Sequence, residues 1–185
     1  MEEQVILVDK NDNQLGLMPK MEAHEKAVLH RAFSVFIFNK KGELMLQQRA
    51  AHKYHSPLLW TNTCCSHQRN GETNLEAGKR RLQEEMGFVT SLSEVFSFIY
   101  KAPFDNGLTE HELDHVLIGY FDNRPIINKD EAEDFKWMLL EDVKSFSIGC
   151  QVVFASINFW TMYGDSKLLS LVLYFDTSTT LFKLL

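Results

Sequence analysis

A thiol and an imidazole stand two residues apart in the run Trp60-Thr61-Asn62-Thr63-Cys64-Cys65-Ser66-His67. Alternate positions of an extended segment share a face, so Cys65 and His67 can address one pocket. One can trade a proton and the other can bind a metal. The chain has seven histidines, and they are unevenly placed. His24 and His30 precede an apolar run, His67 follows the cysteine, and His111 sits inside Glu110-His111-Glu112. On a strand Glu110 and Glu112 face one way and His111 the other. His24, His30, His67, Glu110 and Glu112 together make a mixed nitrogen and oxygen shell suited to a divalent ion such as Mg²⁺, Mn²⁺ or Zn²⁺. Nothing in the sequence ties His111 or His115 to that set. A single buried cysteine or histidine is ordinarily a packing residue; the combination is what points to chemistry.

A second group lies downstream. Glu72 and the block Arg80-Arg81-Leu82-Gln83-Glu84-Glu85-Met86-Gly87-Phe88 match the spacing of the Nudix box, with Ser66 where that box has glycine and Arg81 where it has a metal-binding glutamate. Residues three and four apart share a helix face, so Arg81 and Glu85 are neighbours. A cation in place of one carboxylate weakens the multi-metal hydrolysis that this motif ordinarily supports. Glu85 retains the capacity to hold one Mg²⁺ against a diphosphate, and Arg81 can add a charge-assisted contact. Read without the motif, the same segment is a solvated helix laced with Arg–Glu pairs.

Three separated runs, Leu29 to Ser34, Trp60 to His67 and Glu110 to Glu112, occur in one order along residues 4–143. Together they resemble type I isopentenyl-diphosphate Δ-isomerases, the Nudix-like enzymes that interconvert isopentenyl and dimethylallyl diphosphate. The resemblance implies an α+β fold, a Nudix-like α/β sandwich with a mixed sheet and one prominent helix. It implies a catalytic thiol at Cys65, a catalytic glutamate at Glu112 and an active-site tyrosine at Tyr100. His24, His30, His67, Glu110 and Glu112 become the shell of a divalent metal, and Glu85 the holder of a diphosphate-bound Mg²⁺. Lys20, Arg49, Lys53 and Arg81 fall at or near diphosphate-contacting positions. Trp160 is the candidate for an aromatic ring facing the carbocation, although its surroundings do not resemble the family's C-terminal helix. The substrate implied is a small allylic or homoallylic diphosphate.

These residues need elements to hold them. Val5 to Val8 reads as a strand, and Lys20 to Ala27 as loop-like or weakly helical. Ala32 to Phe38 and Glu43 to Arg49, joined by Asn39-Lys40-Lys41-Gly42, read as a hairpin. Thr73 or Asn74 caps a helix running to about Met86 and ended by Gly87. Glu94 to Lys101, Glu112 to Phe121 and Phe135 to Leu139 read as strands, and Glu141 begins a helix. After Lys144 acidic residues nearly vanish. Residues 145–185 fit an apolar element packed on the core, or a segment mismatched to its domain, as a shifted reading frame would give.

At 185 residues, with 45% hydrophobic and 24% charged residues, the chain reads as a single domain able to bury its own core. A net charge of −6 argues against a general nucleic-acid binder, while a local basic cluster can still hold a small anion. Three cysteines, two of them adjacent, make a poor disulfide framework and fit a cytoplasmic protein. The acidic N-terminus is not a signal peptide, and no membrane span is expected. Either a monomer or a homodimer fits. The rival readings are a Nudix pyrophosphohydrolase of a nucleoside diphosphate derivative, in which Cys65 is surplus, and a non-catalytic Nudix-like binding module.

Overall fold

The computed structural model describes residues 3–53, 56–104 and 106–143. The C-terminal segment 145–185, with Trp160, lies outside the described residues. Two elements flank the N-terminal turn: β1 (Gln4–Val8) and β2 (Gln14–Pro19) form an antiparallel pair, and α1 (Lys20–Glu25) follows directly. The sequence offers no sign of β2, because it is an edge strand whose Leu15 and Leu17 stay exposed, so the burial alternation that marks a strand is missing. Lys20–Glu25 is the helical alternative of the two expected there.

The centre of the sheet is β3 (His30–Phe38), an almost continuous buried run. Such a run suits a strand covered on both faces. It lies parallel to β8 (Thr109–Tyr120), with His30 opposite Glu112 and Ser34 opposite Val116. On its other edge it meets β6 (Cys64–Ser66) antiparallel, with Ser34 opposite Cys65. The expected hairpin between β3 and β4 (Glu43–Arg49) closes at only one pair, Phe38 with Leu44. The two strands then diverge, β4 pairing with β9 (Ala132–Leu139) and with the short β5 (Trp60–Thr61). The splay opens a gap into which β6 inserts, and that gap is where the thiol is delivered. Beyond β8 lies β7 (Leu92–Pro103), antiparallel to it.

The faces of the sheet divide the work. Phe33, Val35, Ile37, Met45 and Leu117 pack on one side beneath α2 (Asn74–Arg81), meeting Ala77, Leu82 and Met86. The alternate residues Phe36 and Phe38, with Leu44, Leu46, Val116 and Ile118, build a second cluster. Each such large side chain contributes about 1.5–3 kcal/mol when fully buried. Thr73 is the cap: its hydroxyl accepts the Glu76 amide at 3.3 Å, and the Glu76 carboxylate accepts the Thr73 amide at 2.9 Å, a reciprocal capping box. Gly78 permits close approach, since a Cβ there would lie 2.6 Å from Leu117 Cδ1. The helix does not run unchanged to Met86. Its last turn, Leu82–Met86, widens to a π-helix and ends at Gly87 with φ +73°. Such turns occur often at functional sites. The widened turn is capped by the loop before β9: the Ile126 amide donates to Met86 O at 3.0 Å and the Asn128 amide to Glu85 O at 2.8 Å. Among the described residues no helix is long and apolar enough to cross a membrane.

Candidate active site

One cavity of about 230 Å³ gathers Cys65, His67, Tyr100, Glu110 and Glu112 with Lys20, Arg49, Lys53, Arg81 and Glu85. These residues come from six segments of chain. The order of the strands explains the meeting: β6 and β8 flank β3, so Cys65 and Glu112 reach the cavity from opposite sides of Ser34 and His30. The alternation of β6 also holds, with Cys64 turned into the core cluster and Cys65 into the cavity.

At one end three imidazoles converge. The ring centroids of His24, His30 and His67 are 4.9, 5.0 and 5.7 Å apart. His24 and His30 direct Nδ1 at the carbonyl oxygens of Lys20 and Val28, at 2.7 and 2.8 Å. That fixes Nδ1 as the protonated nitrogen and leaves Nε2 with a lone pair, the usual arrangement behind a metal ligand. His24, His30, His67 and Glu112 each offer one ligand atom, and all four atoms lie within 4.8 Å of one another. His30 Nε2 is buried with no hydrogen-bond partner, and Glu112 Oε1 stands 3.5 Å from it. Burial pushes the His67 imidazole down to about 4 despite the Glu112 carboxylate beside it, so it is a neutral donor. A buried orphan ring nitrogen among three imidazoles and a carboxylate fits a divalent cation. Glu110 is not one of the four; it reaches the cluster through Tyr100.

Tyr100 joins the two glutamates. Its hydroxyl lies 2.6 Å from Glu112 Oε2 and 3.0 Å from Glu110 Oε2. One phenolic proton serves only one acceptor, and the shorter contact goes to Glu112. Burial raises the Glu110 carboxyl to about 8, reinforced by the Glu112 charge, so near neutral pH Glu110 holds the proton that completes its contact with Tyr100. Burial alone would raise Glu112 too, but the His67 Nε2 contact at 3.1 Å and the His30 imidazole beside it hold it well below the usual carboxylate range. The Cys65 thiol is pushed up to about 12, mainly by burial and against the pull of Arg49. At neutral pH the cavity therefore presents a protonated thiol and an ionised glutamate.

The other end is a lattice of charge. Arg81 donates to Glu85 Oε1 from Nε at 2.8 Å and approaches it from Nη2 at 2.6 Å, donates to Glu84 Oε2 at 2.9 Å, and donates to Glu131 Oε2 at 3.2 Å. Glu85 is nearly inaccessible, and its other oxygen accepts Gln47 Nε2 at 2.8 Å. Burial raises its carboxyl, more than Arg81 lowers it. Lys20 donates to Glu3 at 3.1 and 3.3 Å, and Lys53 pairs with Glu131. Arg80 clamps Glu72 through two bonds at 2.7 and 2.9 Å and reaches His67 O at 3.3 Å, tying the loop that carries His67 to α2.

Several of these residues escape sequence reasoning. Gln47 alternates with Arg49 on β4, a signal that could have found it; Glu3 and Glu131 have none. Asp114 continues the alternation of Glu110 and Glu112, and it accepts the Ser34 hydroxyl at 2.8 Å with its other oxygen buried and unpartnered. His111 and His115 lie away from the metal cluster. His111 Nδ1 contacts Ala27 O at 2.9 Å, and His115 Nδ1 contacts Glu94 at 2.7 Å with Asp12 3.3 Å from Nε2.

The NUDIX domain profile matches residues 28–150. The isopentenyl-diphosphate Delta-isomerase 2 of Aromatoleum aromaticum is 54% identical over 143 residues, spanning 77% of this chain and 76% of that protein. The isopentenyl-diphosphate Delta-isomerase of Pectobacterium atrosepticum is 45% identical over 173 residues, spanning 89% of this chain and 97% of that protein. In fold, the crystal structure of DR0079 from Deinococcus radiodurans superposes with a TM-score of 0.71 at 21% identity, covering 87% of this chain and 99% of that one. That of a MutT protein from Methanosarcina mazei gives 0.59 at 17% identity, covering 74% and 93%.

Proposed function

Since the chain belongs to the NUDIX family and, within it, to the isopentenyl-diphosphate Δ-isomerases, we propose that Cys65 and Glu112 are its two proton-exchanging groups. The enzyme interconverts isopentenyl and dimethylallyl diphosphate. Moving the double bond requires one proton to be added to the alkene and another removed from a neighbouring carbon, by way of a tertiary carbocation. Two groups must therefore face the alkene, one giving and one taking. Cys65 and Glu112 line the same cavity from different strands, and they differ in protonation at neutral pH. Their delivery to one cavity from strands on either side of β3 is the observation that carries the assignment. Because the reaction is reversible, each group is the acid in one direction and the base in the other. Tyr100 fixes the Glu112 carboxylate through its 2.6 Å hydrogen bond and lays a phenol ring along the cavity wall, where a ring face attracts a cation.

His24, His30, His67 and Glu112, with Glu110 adjacent, are the residues that would hold a divalent ion; Zn²⁺, Mn²⁺ and Mg²⁺ all suit these donors. When bound, such an ion supplies fixed positive charge beside Glu112 and lowers that carboxyl's affinity for a proton. Glu85 is the residue that would hold a second ion, Mg²⁺, to offset diphosphate charge, and Lys20, Arg49, Lys53 and Arg81 line the same cavity. Anchoring the diphosphate there leaves the apolar tail to reach Cys65 and Glu112. Arg81, standing among Glu84, Glu85 and Glu131, neutralises the acidic face on which Nudix hydrolases gather several ions, which favours binding of the diphosphate over its cleavage. We read the 185 residues as one catalytic domain working in the cytoplasm, in keeping with Cys64 and Cys65 as free thiols. Trp160, as the family's carbocation-facing ring, remains part of this proposal.

The test is to follow dimethylallyl diphosphate and phosphate together, starting from isopentenyl diphosphate and Mg²⁺. The allylic isomer is expected without phosphate, and Cys65→Ala and Glu112→Gln are each expected to lose about 10²–10⁴-fold in rate. Near-normal turnover by Cys65→Ala would remove the thiol from the mechanism, and phosphate release would mark a hydrolase.

A further inference from the structure

The loop before β9 brings into the cavity a carboxylate that neither the Nudix box nor the isomerase resemblance assigns. Glu131 lines the cavity, and its Oε2 accepts both Lys53 Nζ and Arg81 Nη2, the latter at 3.2 Å. These cations come from unrelated segments, Lys53 from the loop after β4 and Arg81 from the end of α2. Glu131 is their common partner. Its own placement is fixed from two sides. Upstream, Asn128 straps the loop to the π-helical turn, its amide donating to Glu85 O at 2.8 Å and its side chain to Glu84 O at 3.3 Å. Asn128 O in turn accepts the amides of Glu131 and Ala132 at 2.9 and 2.8 Å. On the other side the Ala50 amide donates to Glu131 O at 3.1 Å, fixing the loop to the chain just past β4.

We propose that Glu131 is a positioning residue for substrate binding, holding Lys53 and Arg81 in the orientation in which they meet the diphosphate. This rests on the reading of that end of the cavity as the diphosphate site. A lysine has three rotatable donors on a flexible stem, and binding strengthens when such a group is already ordered. The carboxylate has an opposing effect, since its charge repels an anionic substrate. At a mouth that leaves the Glu131 side chain 23% and that of Lys53 22% exposed, solvent and salt screen that repulsion. The loss of two ordered charge-assisted contacts outweighs it.

The experiment compares Glu131→Gln, Lys53→Ala and the double variant in the full chain. It measures kcat and KM with isopentenyl diphosphate, inhibition by inorganic pyrophosphate, and the unfolding midpoint. Glu131→Gln keeps shape and loses charge. It is expected to raise KM and the pyrophosphate inhibition constant together by about tenfold, with kcat within about twofold. On the Lys53→Ala background the same change is expected to add no more than about threefold, because one of the two cations it orders is gone. A KM that is unchanged or lowered in Glu131→Gln, a fall in kcat alone, or full additivity with Lys53→Ala overturns the proposal. If Lys53→Ala itself leaves KM and pyrophosphate inhibition untouched, the diphosphate reading of this end fails and the role of Glu131 with it. Should Glu131→Gln not fold, Asn128→Ala loosens the strap without touching a cation. It is expected to raise KM by about threefold with kcat preserved, and an unchanged KM there counts against the proposal.

Discussion

Replacing Arg81 with methionine, which keeps an unbranched stem and carries no charge, isolates what the cation does for the acidic turn. Glu85 is 5% exposed at its side chain and Arg81 19%, so the pair is largely withdrawn from water. Removing one partner of a buried ion pair costs about 3–5 kcal/mol, because the remaining charge is stranded. Two features pull the figure down. Gln47 still donates to Glu85 Oε2 at 2.8 Å, and Glu84 and Glu131, at 34% and 23% exposed, keep part of their hydration. A loss of about 2–3 kcal/mol at pH 8 is expected, equivalent to about 4–12 °C in Tm at this chain length. The loss should depend on pH in a definite sense. Burial already raises the Glu85 carboxyl above its unfolded value, and without Arg81 it rises further. A carboxyl raised in the folded state binds more protons folded than unfolded, so stability falls as pH rises from the unfolded carboxylate value through the folded one. The gap between wild type and Arg81→Met should therefore be smallest near pH 5 and largest near pH 8. Denaturant unfolding at the two pH values, with and without MgCl₂, measures it, and Mg²⁺ should narrow the gap at pH 8 by replacing the lost positive charge. A gap below about 1 kcal/mol, or one that does not change with pH, refutes the reasoning.

Gly87→Ala should cost about 2–4 kcal/mol in unfolding free energy, since φ is +73° and an added Cβ would lie 2.4 Å from Ile126 O, displacing the loop that carries Glu131. A cost under about 0.5 kcal/mol would mean that the loop yields freely. His67→Ala should weaken divalent-metal affinity, read by metal titration, by at least about tenfold, whereas His111→Ala should leave it within about twofold. Equal losses would undo the assignment of faces along β8.

What the residues carry locally was legible before any fold. The alternation in Cys64-Cys65-Ser66-His67 put the thiol on the cavity side, and the alternation in Glu110-His111-Glu112 put two carboxylates on one face and His111 on the other, because a strand turns each successive side chain over. Thr73 and Gly87 marked the bounds of the acidic helix, since capping and left-handed backbone are properties of single residues. The Nudix spacing made Arg81 and Glu85 neighbours for the same local reason.

Pairings between distant segments were decided only by tertiary structure. Adjacency in sequence suggested a β3–β4 hairpin, yet that pairing closes at one pair, β6 takes its place along the same edge and β8 lies parallel on the other, which sets His30 opposite Glu112 and Ser34 opposite Cys65. The widened turn at Leu82–Met86, the strap at Asn128 and the recruitment of Glu3 and Glu131 have no signature in spacing. Each is a contact whose partner is chosen by burial and by the need to satisfy polar groups wherever the folded chain happens to bring them. Periodicity and capping are written residue by residue and so can be read in the sequence. Register between strands far apart in the chain is a property of the whole core, and it was this that turned scattered histidines, glutamates and a cysteine into one cavity.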